Sequence, residues 1–298
     1  MRPWIFSLFF IIVIVVSSCE QEKTTLKKSI QSPETPTIQN HNENPDTLIV
    51  DSSDILEYYD TSDDTAYYEE GYQMEYPMLD SSLTGLNFKA AGSYVNLKSI
   101  ISADRQAIKE LFITLSDSTE IQKFTDSIGH YLTNILLDDI FPHWYGTEWD
   151  YNGITETPGK GYVACGYFIS TTLRDLGLNM NRYKFAQQTG LNGAKTLQLG
   201  EDVKKFYTNN NDIPARMVKE LKPGLYQVGL SCHVGYLLIR NSEAWFIHSN
   251  YIHSGVMVEL ARDSEAFDSN VYVISEITYN RKLIKKWILG ERMTIICD

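Results

Sequence analysis

The stretch HVGYLLIRNSEAWFIHSN, residues 233–250, decides the fold of this chain. Two runs of β-branched, aromatic and other apolar residues flank Asn241–Ser242, the composition of a β-hairpin with a tight turn. Two registers are open. If the turn centres on Arg240–Asn241, His233 faces His248 directly. If it centres on Asn241–Ser242, His233 faces Asn250, and His248 lies diagonally on the same sheet face. Either register brings a second polar side chain within reach of His233, because opposed Cβ atoms lie about 4.5–5.5 Å apart. A one-residue bulge would instead turn His248 to the other face. Gly235, opposite Phe246 in the first register, removes one side chain from a face that already carries a large ring. The hairpin therefore offers a His–His or a His–Asn pair, the base and orienter of a nucleophilic triad.

Working outward, LYQVGL (225–230), VMVEL (256–260) and VYVISEI (271–277) read as further short strands, with Ser254–Gly255 as one of the dividing turns. The N-terminal side is helical. ADRQAIKELFITL (103–115) has a helical pattern, and a second helix begins near Asp117, with Glu120 in the place a capping box wants. Ile121, Phe124, Ile128, Leu132 and Ile135 form its apolar stripe. LGEDVKKFYTNN (199–210) reads as a short helix, and Pro214 opens another at PARMVKEL. Helices first and strands afterwards argue for an α+β fold with an antiparallel sheet.

Between the two halves, an aromatic loop (141–162) leads into YVACGYFISTTLRDLG (162–177). This is an amphipathic helix with Phe168, Ile169, Thr172, Leu173 and Leu176 on its buried face and Gly177 at its end. Cys165 stands at its start. The first amides of a helix lack internal partners and favour negative charge, which lowers a thiol's pKa and makes it more nucleophilic. The Cys165 amide can also donate to an oxyanion. Cys165 equally fits the plain reading of a small buried hydrophobe, and a strand histidine that of hydrogen-bonded structure.

Cysteines number four: Cys19, Cys165, Cys232 and Cys297. Setting Cys19 aside leaves an odd number, so at least one thiol is unpaired. A Cys232–Cys297 disulfide would leave Cys165 free, and three reduced thiols fit equally. Cys232, His233, His248 and His253 also suggest zinc. Adjacent Cys–His on a strand points to opposite faces, however, so the spacing suits one metal site poorly. No metal or other cofactor is expected.

The N-terminus reads as a processing signal. Arg2 precedes the apolar run IFSLFFIIVIVV, and the VSSC that follows ends at Cys19, the layout of a secretory signal. Residues 20–80 then hold 15 Asp and Glu against 3 Lys, a net of −12, which is also the charge of the whole chain. The remainder is therefore balanced, and no basic patch suggests nucleic acid. SPETPTIQNHNENPD lacks a hydrophobic period and reads as unfolded, and the tether of some sixty residues it belongs to would span about 40–45 Å root-mean-square. EYYDTSDDTAYYEEGYQMEYP is acidic but tyrosine-rich.

Three stretches together resemble the NlpC-type, papain-like cysteine peptidases and amidases of bacterial cell walls. YGTEWDYNG resembles the family's lead-in loop, with Trp149 where a substrate-side tyrosine usually stands. ACGYFISTTLRDLG resembles the nucleophile helix, matching Cys165 to the nucleophile. CHVGYLLIRNSEAWFIHSNYIHSGV resembles the histidine hairpin, matching His233 to the base and His248 to the orienter. The ending VSSC resembles a bacterial lipoprotein box, which implies lipidation of Cys19. The chain departs from the family in having A-C-G-Y for D-C-S-G, an added segment ITETPGKGYVA, and a longer Cys-to-His interval.

Composition divides the chain into a signal over 1–19, a tether over 20–84 and a domain over 85–298, and the resemblance, carried by about 145–258, implies that this domain is a papain-like hydrolase. That domain divides into a helical lead-in (85–140) and a catalytic core (141–298). The nucleophile helix is expected to pack on the antiparallel sheet. The expected protein is a lipid-anchored cell-envelope hydrolase of amide bonds, with peptidoglycan stem peptides as the expected substrate. Its residues are Cys165, His233 and His248, with Asn250 as alternative orienter and Trp149 on the substrate side. The expected partners are peptidoglycan or another amide substrate, and the membrane through the lipid. Two alternatives stand beside it: a non-catalytic binding lipoprotein on the same fold, and an amidase with a different substrate.

Overall fold

A computed structural model of the chain describes residues 81–208 and 212–297. The signal, Cys19 and nearly all of the acidic segment lie outside these residues. Of the stretch read as tether, Ser81–Thr84 forms a short helix, α1, and Thr84 is fully buried. Among the described residues, no helix is long and apolar enough to cross a membrane.

Helix α2 spans Tyr94–Phe112 and α3 spans Ser118–Asn134. The Asp117 carboxylate caps α3, accepting from the amides of Thr119 and Glu120, so two of the unpaired first amides are satisfied. The predicted stripe is present, with Ile128, Leu132 and Ile135 buried. α3 runs on through a π-helical turn, Ile135–Ile140, into α4, Phe141–Trp144. Pro142 sits in the first turn of α4 and has no amide hydrogen to give the preceding ladder.

Helix α5 is Cys165–Asp175, followed by α6 (Arg182–Ala186) and α7 (Gly190–Leu197). Gly177, at φ +105°, ends α5 as expected. The stretch 199–210, read as a helix, holds instead the strand β1, Lys204–Tyr207. Its only buried residue is Phe206, flanked by exposed neighbours, and it gains its ladder from a distant strand that local pattern does not announce. Helix α8 (Ile213–Glu220) opens on Pro214 and is capped by Asp212. The strands β2 (Gly224–Gly229), β3 (Val234–Arg240), β4 (Glu243–Asn250), β5 (Gly255–Leu260) and β6 (Val271–Glu276) follow, and α9 (Arg281–Leu289) closes the fold.

All six strands form one antiparallel sheet in the order β1-β6-β2-β3-β4-β5. The molecule is thus α+β, as the order of patterns predicts. Each face of the sheet carries its own core. On the inner face Leu225, Tyr236, Leu238, Trp245 and Ile247 pack with Phe141 and Trp144 of α4, Phe168 and Leu173 of α5, and Trp287 of α9. On the outer face Tyr226, Leu237, Ile239, Phe246 and Ile274 pack with Ile213 and Met217 of α8 and with Phe267.

Close backbone approaches lock the helices down. A Cβ on Gly129 of α3 would lie 2.1 Å from the Thr278 carbonyl oxygen. Alanine would gain about 1 kcal/mol in helix propensity there. A backbone carbonyl cannot swing away as a side chain can, so overpacking should win. Gly129→Ala is expected to lower stability by about 1–3 kcal/mol, read as a lower urea midpoint at unchanged m-value. An equal or higher midpoint would show that α3 can shift.

Candidate active site

The hairpin adopts the second register. Asn241 and Ser242 both have positive φ, +55° and +60°, the two-residue turn whose twist suits a hairpin, and Arg240 pairs with Glu243. β3–β4 pairing ends at Tyr236–Ile247. Yet β3 stays paired with β2 out to Val234, and β4 with β5 out to Asn250. The two central strands therefore part beyond Tyr236–Ile247, while each keeps its outer neighbour.

The start of α5 fills this opening. Ser249 of β4 donates its hydroxyl to the Val163 carbonyl at 2.6 Å, fixing the chain two residues before Cys165. The backbone amides of Val234 in β3, of Gly166 and of Cys165 itself lie close enough to the Cys165 sulfur to favour its thiolate form. Ala164, the residue before the helix, has no side chain that caps these amides. Gly166 is required here, because a Cβ would stand 2.3 Å from the Ala186 carbonyl oxygen. Below this first turn, the fully buried Gln227 has its amide nitrogen unpaired, facing a small cavity bounded by Gly166, Gly190 and Val234.

On the outer face of the opening lie the two histidines. One step past the last ladder pair, His248 falls opposite Gly235, so His233 meets it diagonally, with Nε2 of His233 2.7 Å from Nδ1 of His248. Gly235 makes room, since a Cβ there would stand 2.3 Å from the Phe246 ring and 3.0 Å from His248 Cβ. Phe246 in turn stacks on His248 at 4.0 Å between centroids. Tyr251 leans edge-on against His233, and Trp149 contacts Tyr251, so Trp149 stands at the rim, one ring removed from the histidine.

A residue not singled out in the sequence completes the row. Glu259 of β5 accepts from His248 Nε2 at 2.7 Å, from Ser264 Oγ at 2.8 Å and from Asn250 Nδ2 at 3.0 Å, all at Oε1. The alternation of VMVEL, a carboxylate two residues after a buried Met257, was its one sequence signal. Asn250 makes no hydrogen bond to His233. Its carbonyl oxygen instead accepts from the amides of Ile252 and His253, holding the turn that follows β4.

The two histidines of the row are buried, and Glu259 is partly buried at its end. Burial, with the neighbouring His248, pushes His233 down to about 3. Burial pushes His248 down as well, against the opposing pull of Glu259. Burial also pushes the Cys165 thiol up, outweighing the amides that favour thiolate. Burial would raise Glu259 too, but its bonds from His248 and Ser264 win and hold it below the usual glutamate range. Among the described residues no hydrogen bond joins Cys165 directly to His233. Both nitrogens of His248 are taken by His233 and Glu259, and no three metal-ligating side chains converge among the described residues. Cys232 and Cys297 are exposed free thiols, not a disulfide.

The added segment forms an ordered wall beside the opening. The loop ahead of it pairs with the free edge of β5 through Gly146 and Thr147, with the Trp149 amide donating to the Ser254 carbonyl just before that strand, and the added segment turns back through Glu148–Tyr162 and Ile154–Val163 bridges. The buried guanidinium of Arg182 clamps it to α5, donating to the carbonyls of Ile154 and Thr155, to Thr171 Oγ1 and to Glu156.

Compared with family models, curated proteins and solved structures, the chain matches none.

Because His233 binds protons more weakly when folded than its ordinary 6.5, its contribution to stability is complete above pH 6.5 and is lost as pH falls toward 3. His248 acts in the same direction. The unfolding free energy of the wild type should therefore drop more steeply from pH 6.5 to pH 5 than that of His233→Gln, followed by urea titration. Equal slopes would mean that His233 is not held neutral by the fold.

Proposed function

We propose that this chain is a papain-like cysteine hydrolase of amide bonds, of the NlpC type, with Cys165 as nucleophile and His233 as base. The observation that carries the reading is a thiol at an uncapped helix start set beside the Val234 amide, next in the chain to a histidine backed by His248. The Cys165 sulfur attacks the amide carbonyl while its proton passes to His233 Nδ1, the ring nitrogen not engaged by His248. The oxyanion takes hydrogen bonds from first-turn amides of α5, which have no helical partners. Collapse of the tetrahedral adduct breaks the C–N bond, and His233 returns the proton to the leaving amine. Water then attacks the thioester, its proton going to His233 and back to sulfur.

A neutral thiol and a neutral imidazole at rest make the first proton transfer part of the attack, not a prior ion-pair equilibrium. The proposed substrate is a peptidoglycan stem peptide. That choice rests on the family resemblance and on the lipoprotein-like N-terminus, which would hold the enzyme at the cell envelope. A second reading, a binding lipoprotein on the same fold, draws on the neutral thiol and on the missing direct Cys165–His233 bond.

Purified peptidoglycan incubated with the full-length protein should yield new stem-peptide fragments by mass spectrometry. Cys165→Ala and His233→Ala should each lower the rate by at least about 10²-fold. An unchanged muropeptide profile, with Cys165 labelled by an acyl probe, would move the substrate to another amide. No cleavage and no labelling would favour the binding module.

A further inference from the structure

We infer that Glu259 is a positioning residue that sets the tautomers of two histidines in series and thereby leaves His233 Nδ1 bare to act as base. The inference rests on the hydrolase reading above. A carboxylate is an acceptor only, and Glu259 Oε1 gathers three donors: His248 Nε2, Ser264 Oγ and Asn250 Nδ2. The hydrogen in the Glu259–His248 contact therefore belongs to His248 Nε2. His248 is fully buried, and burial holds it below the usual histidine range; the neutral ring has one N–H, so its Nδ1, 2.7 Å from His233, must accept. The partner at 2.7 Å, His233 Nε2, then has to donate. A neutral His233 that donates from Nε2 has no hydrogen on Nδ1.

The hydrogen-bonded chain runs from strand β5 to His233 without Glu259 touching either Cys165 or His233. It also runs in reverse. With no acceptor at 259, His248 is free to carry its hydrogen on Nδ1, His233 must then accept at Nε2, and its own hydrogen moves to Nδ1, where it blocks the thiol proton. When the S–H bond breaks and Nδ1–H forms, the positive charge on His233 lies two hydrogen bonds from the carboxylate, in a dry setting where such networks count most. The groups facing this row are Phe246 and Tyr251 by their rings, Asn250 and Ser264 by hydrogen bonds, and His253 through its charge when protonated. None of the hydrogen-bonding neighbours supplies a second acceptor to His248.

The test is ¹⁵N NMR of the full-length protein labelled at histidine, where bare and hydrogen-bearing ring nitrogens give well-separated shifts. In the wild type, His233 and His248 should both show Nε2 protonated and Nδ1 bare. Glu259→Gln keeps an acceptor oxygen without the charge. It should retain both tautomers and lower kcat about 10-fold. Glu259→Leu removes the acceptor, and should mix the tautomers and lower kcat by about 10²-fold or more at similar KM. A wild-type His233 with hydrogen on Nδ1, or a folded Glu259→Leu with unchanged tautomers, would overturn the inference. The wild-type and Glu259→Gln spectra decide even where Glu259→Leu fails to fold. Full activity in Cys165→Ala would defeat the hydrolase reading instead, and the spectra would still report the tautomers.

Discussion

The parting of β3 from β4 beyond Tyr236–Ile247 is the constraint on which the rest of the site depends. A sheet that stops pairing in its middle strands exposes main-chain groups that must find partners elsewhere. At the start of α5 the Val234 amide meets the Cys165 sulfur, and the Ser249 side-chain hydroxyl donates to the Val163 carbonyl. The helix that fills the opening belongs to the inner layer, whereas the histidines belong to the outer one. In an unbroken sheet the two would be separated by backbone.

Around this opening, two polar side chains are bound on several sides. Glu259 collects three donors on one oxygen, and Arg182 spends its guanidinium on two carbonyls, a hydroxyl and a carboxylate. Thr172 and Tyr236 pair their hydroxyls between α5 and β3. Networks of this kind are costly when incomplete and rigid when complete. One network fixes the wall beside the nucleophile and the other fixes the ring behind the base, so the relative placement of thiol and imidazole does not depend on solvent-exposed contacts.

Much of this was legible in the residues. Period-two runs and an Asn–Ser turn gave the hairpin, its two admissible registers and the His233–His248 pair. The Cys165 helix announced itself by its apolar face and by Gly177. The strand β1 did not, because a four-residue run with one buried aromatic owes its state to β6, which lies far along the chain. Glu259 escaped for a related reason. Its meeting with His248 depends on the β4–β5 register, and the turn between them, Tyr251–Ser254, is set by Asn250 accepting two amides, not by a strong turn signature. Gly166 likewise explains itself only once Ala186 of a later helix is seen against it.

The turn at Asn241–Ser242 is a length standard for chemistry at the opposite end of the hairpin. Side chains alternate faces with period two, so adding a single residue to that turn slips every pair along β3–β4 by one. His248 would then face the helix layer, and Trp245 would leave its core for the outer side. Exposed loop tips are ordinarily where chains accept insertions. In this fold the most remote point of the hairpin should tolerate exchange of residues but not a change in their number.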